Sequence, residues 1–239
     1  GWLHDRLTAF GQRSEMISGP ETDRRIGEAA RLSLVKPRHL IHPARLAIAL
    51  GERLRSMGVP IYERARVQRI DHSGAELRAI TETGITCRAR KIISAAGPWA
   101  KGLFGNVDGR LWETWMVATA PLPADVLARM GGTQTMVVSA KPDLMYRRVH
   151  AGRLLLGGLD DGVTQPAAAG FVPDNVLPRL KRLMRESLPW LGEVPLEYIW
   201  GGPMHVYWDQ KPRIIPWRVD PRVVLVSGMV AVALARAIL

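Results

Sequence analysis

Lys91-Ile-Ile-Ser-Ala-Ala-Gly-Pro-Trp99 is a short apolar run that stops abruptly in small residues and a glycine. In an open α/β sheet, a buried strand ends this way where something flat or charged must reach the backbone at its C-terminal tip. The same ending also serves plain turn geometry, so the weight of the stretch comes from its neighbours. Residues 85–93 read as the strand that leads into it, with residues 67–70 and 77–81 as two strands before that. Asp71-His-Ser-Gly74 and Glu82-Thr-Gly84 supply turn chemistry between these runs. Residues 60–63 read as a further short strand. His42-Pro43 opens a helix, because proline suits the first helical position. Leu46, Leu50 and Leu54, with Ala47 and Met57, form an apolar stripe at helical spacing, and Gly58 closes the helix. A helix leading into a strand is the second half of a βαβ crossover, and the strands that follow form a meander.

Beyond residue 105 the pattern changes. Residues 111–120, 134–139, 144–149 and 153–158 read as antiparallel strands separated by polar turns. Residues 174–188 form an amphipathic helix that turns Leu177, Leu180, Leu183, Met184 and Leu188 inward. Pro178 requires that helix to begin there or just before. Residues 197–208 and 223–226 read as strands and 228–239 as a helix. At the other end, residues 1–30 carry no clear period, and 30–35 read as a short strand.

An apolar content of 47% with 23% charged residues is ordinary for a globular chain of 239 residues. The net charge is +11, and 27 of the 33 basic residues are arginine. They are scattered, with Arg24-Arg25 and Arg147-Arg148 the only adjacent arginine pairs. No basic block interleaves with aromatics, which argues against nucleic-acid binding. The single cysteine, Cys87, allows no intrachain disulfide and no Cys-rich metal site, and fits a reducing, cytoplasmic setting. His4, His39, His72, His150 and His205 show no metal-ligand spacing, and His42 reads as the residue preceding a Pro-initiated helix. Residues 223–239 are nearly all apolar, yet this is the short limit for a membrane span, and Gly228 and Arg236 interrupt it. A buried strand and helix fit better than a span. Gly1-Trp-Leu-His-Asp5 lacks an initiator methionine and reads as starting in the middle of something.

Ile41-His-Pro-Ala-Arg-Leu46, Gly58-Val59, Val67-x-x-Ile70, Thr83-Gly84 and Ile92 to Trp99 follow in an order and spacing that resemble one family. They are similar to the middle of the FAD-dependent amine and amino-acid oxidoreductases of the D-amino-acid oxidase superfamily, which includes glycine oxidase and gamma-glutamylputrescine oxidase. Met145-Tyr-Arg147 followed by Gly152-Arg-Leu-Leu-Leu-Gly-Gly158 resembles a strand pair of that family's substrate domain. Trp200-Gly-Gly202, with Pro212 further on, resembles the segment that leads back to the flavin domain. The resemblance implies a mixed α/β fold: an incomplete, doubly wound FAD-binding sheet with a β-meander, plus an antiparallel-sheet substrate domain. It implies a partial FAD-binding domain over 1–105 lacking its first βαβ unit, a substrate domain over 106–210, and a return strand and helix over 211–239. It further implies FAD as cofactor, and oxidation of the C–N bond of a small amine or amino acid by hydride transfer to flavin.

By the same resemblance, the backbone of Val67 meets the adenine end of FAD, although a β-branched strand residue is expected there anyway. Ala95, Ala96 and Gly97 lie beside the cofactor or merely turn the chain. Trp99 packs near the dinucleotide or in the core. Gly228, Met229, Val230 and Ala231 occupy the place of the family's flavin loop. Tyr146 and Arg147 are candidates for the substrate pocket, and only one of them can face it on an alternating strand. His205 and Tyr207, on one face of a later strand, are further candidates. No catalytic residue and no metal ligand is assigned.

The chain departs from the family pattern in several places. Nothing in it fits Gly-x-Gly-x-x-Gly, the fingerprint whose amides hold the pyrophosphate. Gly228-Met-Val-Ala231 replaces a Gly-His-Gly loop, and Ile214-Ile215 stand where a glycine is expected after Pro212. Gly202-Pro203 occupies the place of an Arg-Pro pair that clamps the substrate carboxylate in glycine oxidase-like members. Its loss favours amines over α-amino acids, with Arg147, Arg148 and Arg213 as substitutes. These departures suggest a fragment, a decayed copy or a form that another chain, one carrying the fingerprint, completes. The alternative is a non-catalytic binding or assembly protein on the same fold.

Overall fold

The computed structural model describes residues 2–28, 30–35, 40–105, 107–139, 145–163 and 170–229. In chain order its helices are α1 (Trp2–Ala9), α2 (Gly19–Ile26), α3 (Pro43–Ser56), α4 (Ala100–Phe104), α5 (Ala124–Arg129) and α6 (Val176–Ser187). Its strands are β1 (Glu15–Ser18), β2 (Leu32–Val35), β3 (Val67–Asp71), β4 (Leu77–Thr81), β5 (Thr86–Ala89), β6 (Ile92–Ser94) and β7 (Arg110–Thr119). They continue with β8 (Met136–Val138), β9 (Tyr146–His150), β10 (Arg153–Val163), β11 (Leu196–Val206), β12 (Arg213–Pro216) and β13 (Val223–Ser227). The fold is mixed α/β, as expected. Its sheets run β1-β2, β11-β7-β10-β9-β8, β12-β13-β6 and β3-β4-β5.

Several elements differ from the sequence reading, and α4, α5 and β12 were not anticipated by it. The run 85–93 is two strands, interrupted at the exposed cations Arg90 and Lys91. β5 pairs antiparallel with β4, whereas β6 pairs in parallel with β13, so the run serves two sheets. Residues 60–63 form no strand; Pro60 has no amide to donate, and the segment is exposed throughout. β1 arises in the stretch without a period and pairs antiparallel with β2 from Glu15↔Val35 to Ser18↔Leu32. Four residues with only Ile17 buried offer no alternation to read. The helix expected over 228–239 lies, from residue 230 on, outside the described residues.

The chain divides into two compact units. The first comprises Gly1–His42, Thr114–Asp160 and Ala168–Gly201; the second comprises Pro43–Glu113, Asp161–Ala167 and Gly202–Leu239. In the first unit β9 pairs antiparallel with β8 and β10, with Tyr146 opposite Val138 and Gly157. α6 starts at Val176, so Pro178 sits in the first turn, where its missing amide would have had no helical partner. The helix buries Val176, Leu180, Leu183 and Met184. Deep in this unit Arg147 is 2% exposed. Its guanidinium donates to the Ile26 carbonyl at 2.8 Å and to the Glu28 carboxylate at 3.2 Å. The Trp190 indole N–H donates to the carbonyl of Gly27 between them.

In the second unit the core is Leu77, Ala100, Phe104, Val223 and Leu225, flanked by Ile70, Ile92, Leu103, Ile215 and Trp217. This core covers one face of the sheet β12-β13-β6. On the other face Ile93 and Ile214 are 74% and 75% exposed. Parallel strands are ordinarily covered on both faces. α3 has the expected stripe, yet none of its residues is buried, and Leu50, Leu54 and Met57 stay exposed.

One side chain joins the meander to the β12–β13 turn. The Arg222 guanidinium donates to the carbonyls of His72 at 3.0 Å, Gly74 at 3.0 Å and Ala75 at 2.8 Å. It also donates to Asp220 at 2.6 Å. That bond, chiefly, holds the Asp220 carboxyl down to about 2. Its folded value lies below the unfolded value of about 3.9. The stabilisation is therefore complete above about pH 4 and is lost as pH falls toward 2. Arg222→Ala is expected to lower the thermal midpoint at pH 7 and to weaken the acid dependence between pH 4 and 2. Melts at both pH values, with faster amide exchange at residues 72–75, check this; an unchanged acid limb would refute it.

Candidate functional site

At the tip of β6, Ser94 is buried and Ala95-Ala96 add little bulk before Gly97 turns the chain at φ +53°. A single 3-10 turn, Gly97–Trp99, leads directly into α4. Gly97 and Pro98 open onto a cleft of about 580 Å³ within the second unit. Gly97, Pro98 and Lys101 line one side of it; Gly109, Arg110 and Trp112 come from the start of β7, Gly162 and Val163 from the end of β10, and His205 from β11. A Cβ built on Gly97 or Gly162 meets nothing within 4 Å, so backbone at both positions is open to close approach. Gly109 differs, since its φ is +117° and a Cβ there would lie 2.5 Å from His205 Nε2.

His205 is buried, and its Nδ1 is hydrogen-bonded to the buried Ser227 hydroxyl on β13. Burial pushes its imidazole below the usual histidine range, and a hydrogen bond to the Asp108 backbone offsets part of this. The ring is therefore neutral at pH 7. A second cleft of about 490 Å³ shares Gly109 and Arg110 with the first and is also lined by Tyr207 and Arg213. Tyr207 is 2% exposed, and among the described residues its hydroxyl has no partner. The Arg213 guanidinium stacks 4.2 Å from its ring centre. Gly228, at φ +71°, leaves room for the same ring, because a Cβ there would lie 2.6 Å from Tyr207 Cδ2.

Among the residues expected from sequence, Gly97 and His205 thus line one cleft, while Tyr207 lines the adjoining one with Gly228 against its ring. Val67, Ala95, Ala96 and Trp99 belong to the second unit without lining either cleft. Met229 is exposed, and Val230 and Ala231 lie outside the described residues. Tyr146 and Arg147 belong to the first unit. The Tyr146 hydroxyl is hydrogen-bonded to Thr114 Oγ1 at 2.7 Å, and Arg147 is engaged by Glu28 and Ile26. Lys101, Gly109, Arg110, Trp112 and Gly162 were not anticipated. The one available signal was Asp108-Gly109, a turn dipeptide standing directly before a strand. Among the described residues no group of three His, Cys, Asp or Glu side chains is placed to hold a metal, and no helix is long and apolar enough to cross a membrane.

The profile of the family described as FAD dependent oxidoreductase matches residues 2–238. The probable oxidoreductase OrdL of Rhizobium meliloti (strain 1021) is 22% identical over 187 residues, which cover 72% of this chain and 39% of that protein. Glycine oxidase from Geobacillus kaustophilus superposes with a TM-score of 0.75 at 19% identity, over 94% of this chain and 60% of its own. L-proline dehydrogenase from P. horikoshii gives 0.76 at 15% identity, over 94% and 61%. The chain therefore spans about two fifths of the curated relative and about three fifths of these structures.

Proposed function

The chain belongs to the FAD dependent oxidoreductase family, and we propose that it forms the flavin-ring and substrate side of an enzyme oxidising the C–N bond of a small amine or amino acid. The observation that carries this reading is the cleft itself. An α/β strand tip with open glycine backbone, Gly97-Pro98, shares one cavity with Gly162 and the neutral His205. The residues present fit the flat end of FAD, since Gly97 and Gly162 leave space for a ring to lie against backbone. They do not fit its pyrophosphate end, because no Gly-x-Gly-x-x-Gly lies within the 239 residues. Bound FAD would supply the acceptor for hydride from the carbon bearing the amine. The protein's part is positional: Gly97, Pro98 and Gly162 hold the ring by backbone contact, Val107 and Trp112 exclude water, and His205 anchors the cleft wall through Ser227.

The open sheet face at Ile93 and Ile214 and the uncovered stripe of α3 favour completion by a unit that carries the fingerprint. The protein expressed with such a unit, from its upstream reading frame or a companion chain, is expected to retain flavin that small amines or amino acids bleach. The chain alone is expected to retain little. Gly97→Ala costs about 1–2 kcal/mol for its left-handed backbone and meets no neighbour, so the fold survives while flavin retention falls. Stoichiometric flavin on the chain alone would remove the completion step. A retained flavin that no amine or amino acid reduces would remove the reaction.

A further inference from the structure

The first cleft has an electrostatic character that the sequence did not reveal. Lys101 on α4 and Arg110 on β7 both line it, and among the described residues no acidic side chain does. Among the described residues neither side chain has an ion-pair or hydrogen-bond partner. Three other arginines of the second unit are paired. Arg213 faces Asp209 at 3.4 Å, Arg218 faces Asp108 at 3.4 Å, and Arg222 faces Asp220 at 2.6 Å. The nearby carboxylate of Asp108 is thus directed to Arg218, and Lys101 and Arg110 are left facing a concave, partly apolar space.

We infer that Lys101 and Arg110 form an anion-recognition pair in this cleft and hold the carboxylate of an amino-acid substrate. The identity of the anion as a substrate carboxylate rests on the function proposed above; the anion site itself rests on the cleft. Arginine presents a planar fork that matches a carboxylate in two bonds, and lysine adds a mobile point charge. Two like charges in a cleft with no acid among its described lining residues raise the local concentration of anions. They repel a substrate whose only charges are ammonium groups. His205 adds no third charge, being neutral in its bond to Ser227. The missing strand arginine at Gly202-Pro203 pointed toward plain amines, and the cleft supplies positive charge from α4 and β7 instead.

The test uses the full chain without flavin and three probes: glycine, ethanolamine and inorganic pyrophosphate. Ethanolamine matches glycine in its amine and lacks the carboxylate; pyrophosphate represents a dinucleotide as the anion's source. Binding is followed by shifts of the Gly97, Gly109 and Gly162 amide signals. Glycine is expected to shift them saturably and ethanolamine is not. The double variant Lys101→Ala/Arg110→Ala, which removes only exposed side chains, is expected to weaken glycine at least about tenfold. Arg110→Lys is expected to lose less, since it keeps the charge. Glycine binding unchanged in the double variant overturns the inference, as does ethanolamine binding equal to that of glycine. Pyrophosphate binding that alone depends on the two residues also overturns it and assigns the pair to a phosphate. Glycine held through this pair in a protein that never oxidises an amine would leave the anion site standing and remove the proposed reaction.

Discussion

Glu28→Ala is expected to destabilise the first unit by about 3–5 kcal/mol, the cost of breaking a buried ion pair from one side. The cause is Arg147. Its guanidinium is buried and keeps two kinds of partner, the Glu28 carboxylate and the Ile26 carbonyl. Burial pushes its pKa down, and Glu28 opposes that shift. An arginine cannot escape by losing its proton near neutral pH, so without Glu28 a charge remains in a poorly solvating site. The Arg147→Met/Glu28→Leu pair is expected to lose far less, because apolar groups of similar volume need no partner. The two results together separate an ion pair that specifies geometry from one that merely fills space. Urea unfolding of the three proteins gives the numbers. A loss below about 1 kcal/mol for Glu28→Ala would mean that water reaches the guanidinium and the pair counts as a surface one.

This pair also illustrates which parts of the fold were legible. Tyr146-Arg147 stood out because its strand resembles one of the family's substrate domain, and the resemblance pointed both residues toward a pocket. Its partner lies 119 residues away, in the stretch with no readable period. Local pattern carries no information about such a pairing. Strand ends and turns were readable because glycine, proline and Asp-Gly dipeptides act locally. The stripe on α3 was readable too, but a stripe states only that a face can be covered, not what covers it. The same limit applies to the cleft. Alternation over the expected strand 197–208 placed His205 and Tyr207 on one face, and both prove buried at adjoining clefts. Ser227, which fixes His205, comes from a different strand of the sheet topology. Lys101 and Arg110 are unremarked residues in sequence, and only the fold brings them to one cavity.

Gly109→Ala is expected to destabilise the second unit by about 2–5 kcal/mol, combining backbone strain with overpacking. At φ +117° an alanine is strained whatever the space, and its Cβ would lie 2.5 Å from His205 Nε2 and 3.2 Å from the Val206 carbonyl. The imidazole cannot simply rotate away, because Ser227 and the Asp108 backbone hold it. Moving it breaks those bonds and leaves buried polar atoms unsatisfied, at about 1–3 kcal/mol. His205→Ala should therefore cost less than Gly109→Ala, and the double variant should cost less than the sum, since the second change removes the obstacle that the first one meets. pH supplies an independent check. The folded value of His205 lies below its unfolded value of about 6.5. The stability that its neutral form contributes is thus complete above that pH and is lost as pH falls through it. Parent protein should lose more stability than His205→Ala between pH 7.5 and 5.5. Additive losses in the double variant, or equal pH dependence in the two proteins, would mean that Gly109 is required by its backbone angle alone and that His205 does not brace the cleft.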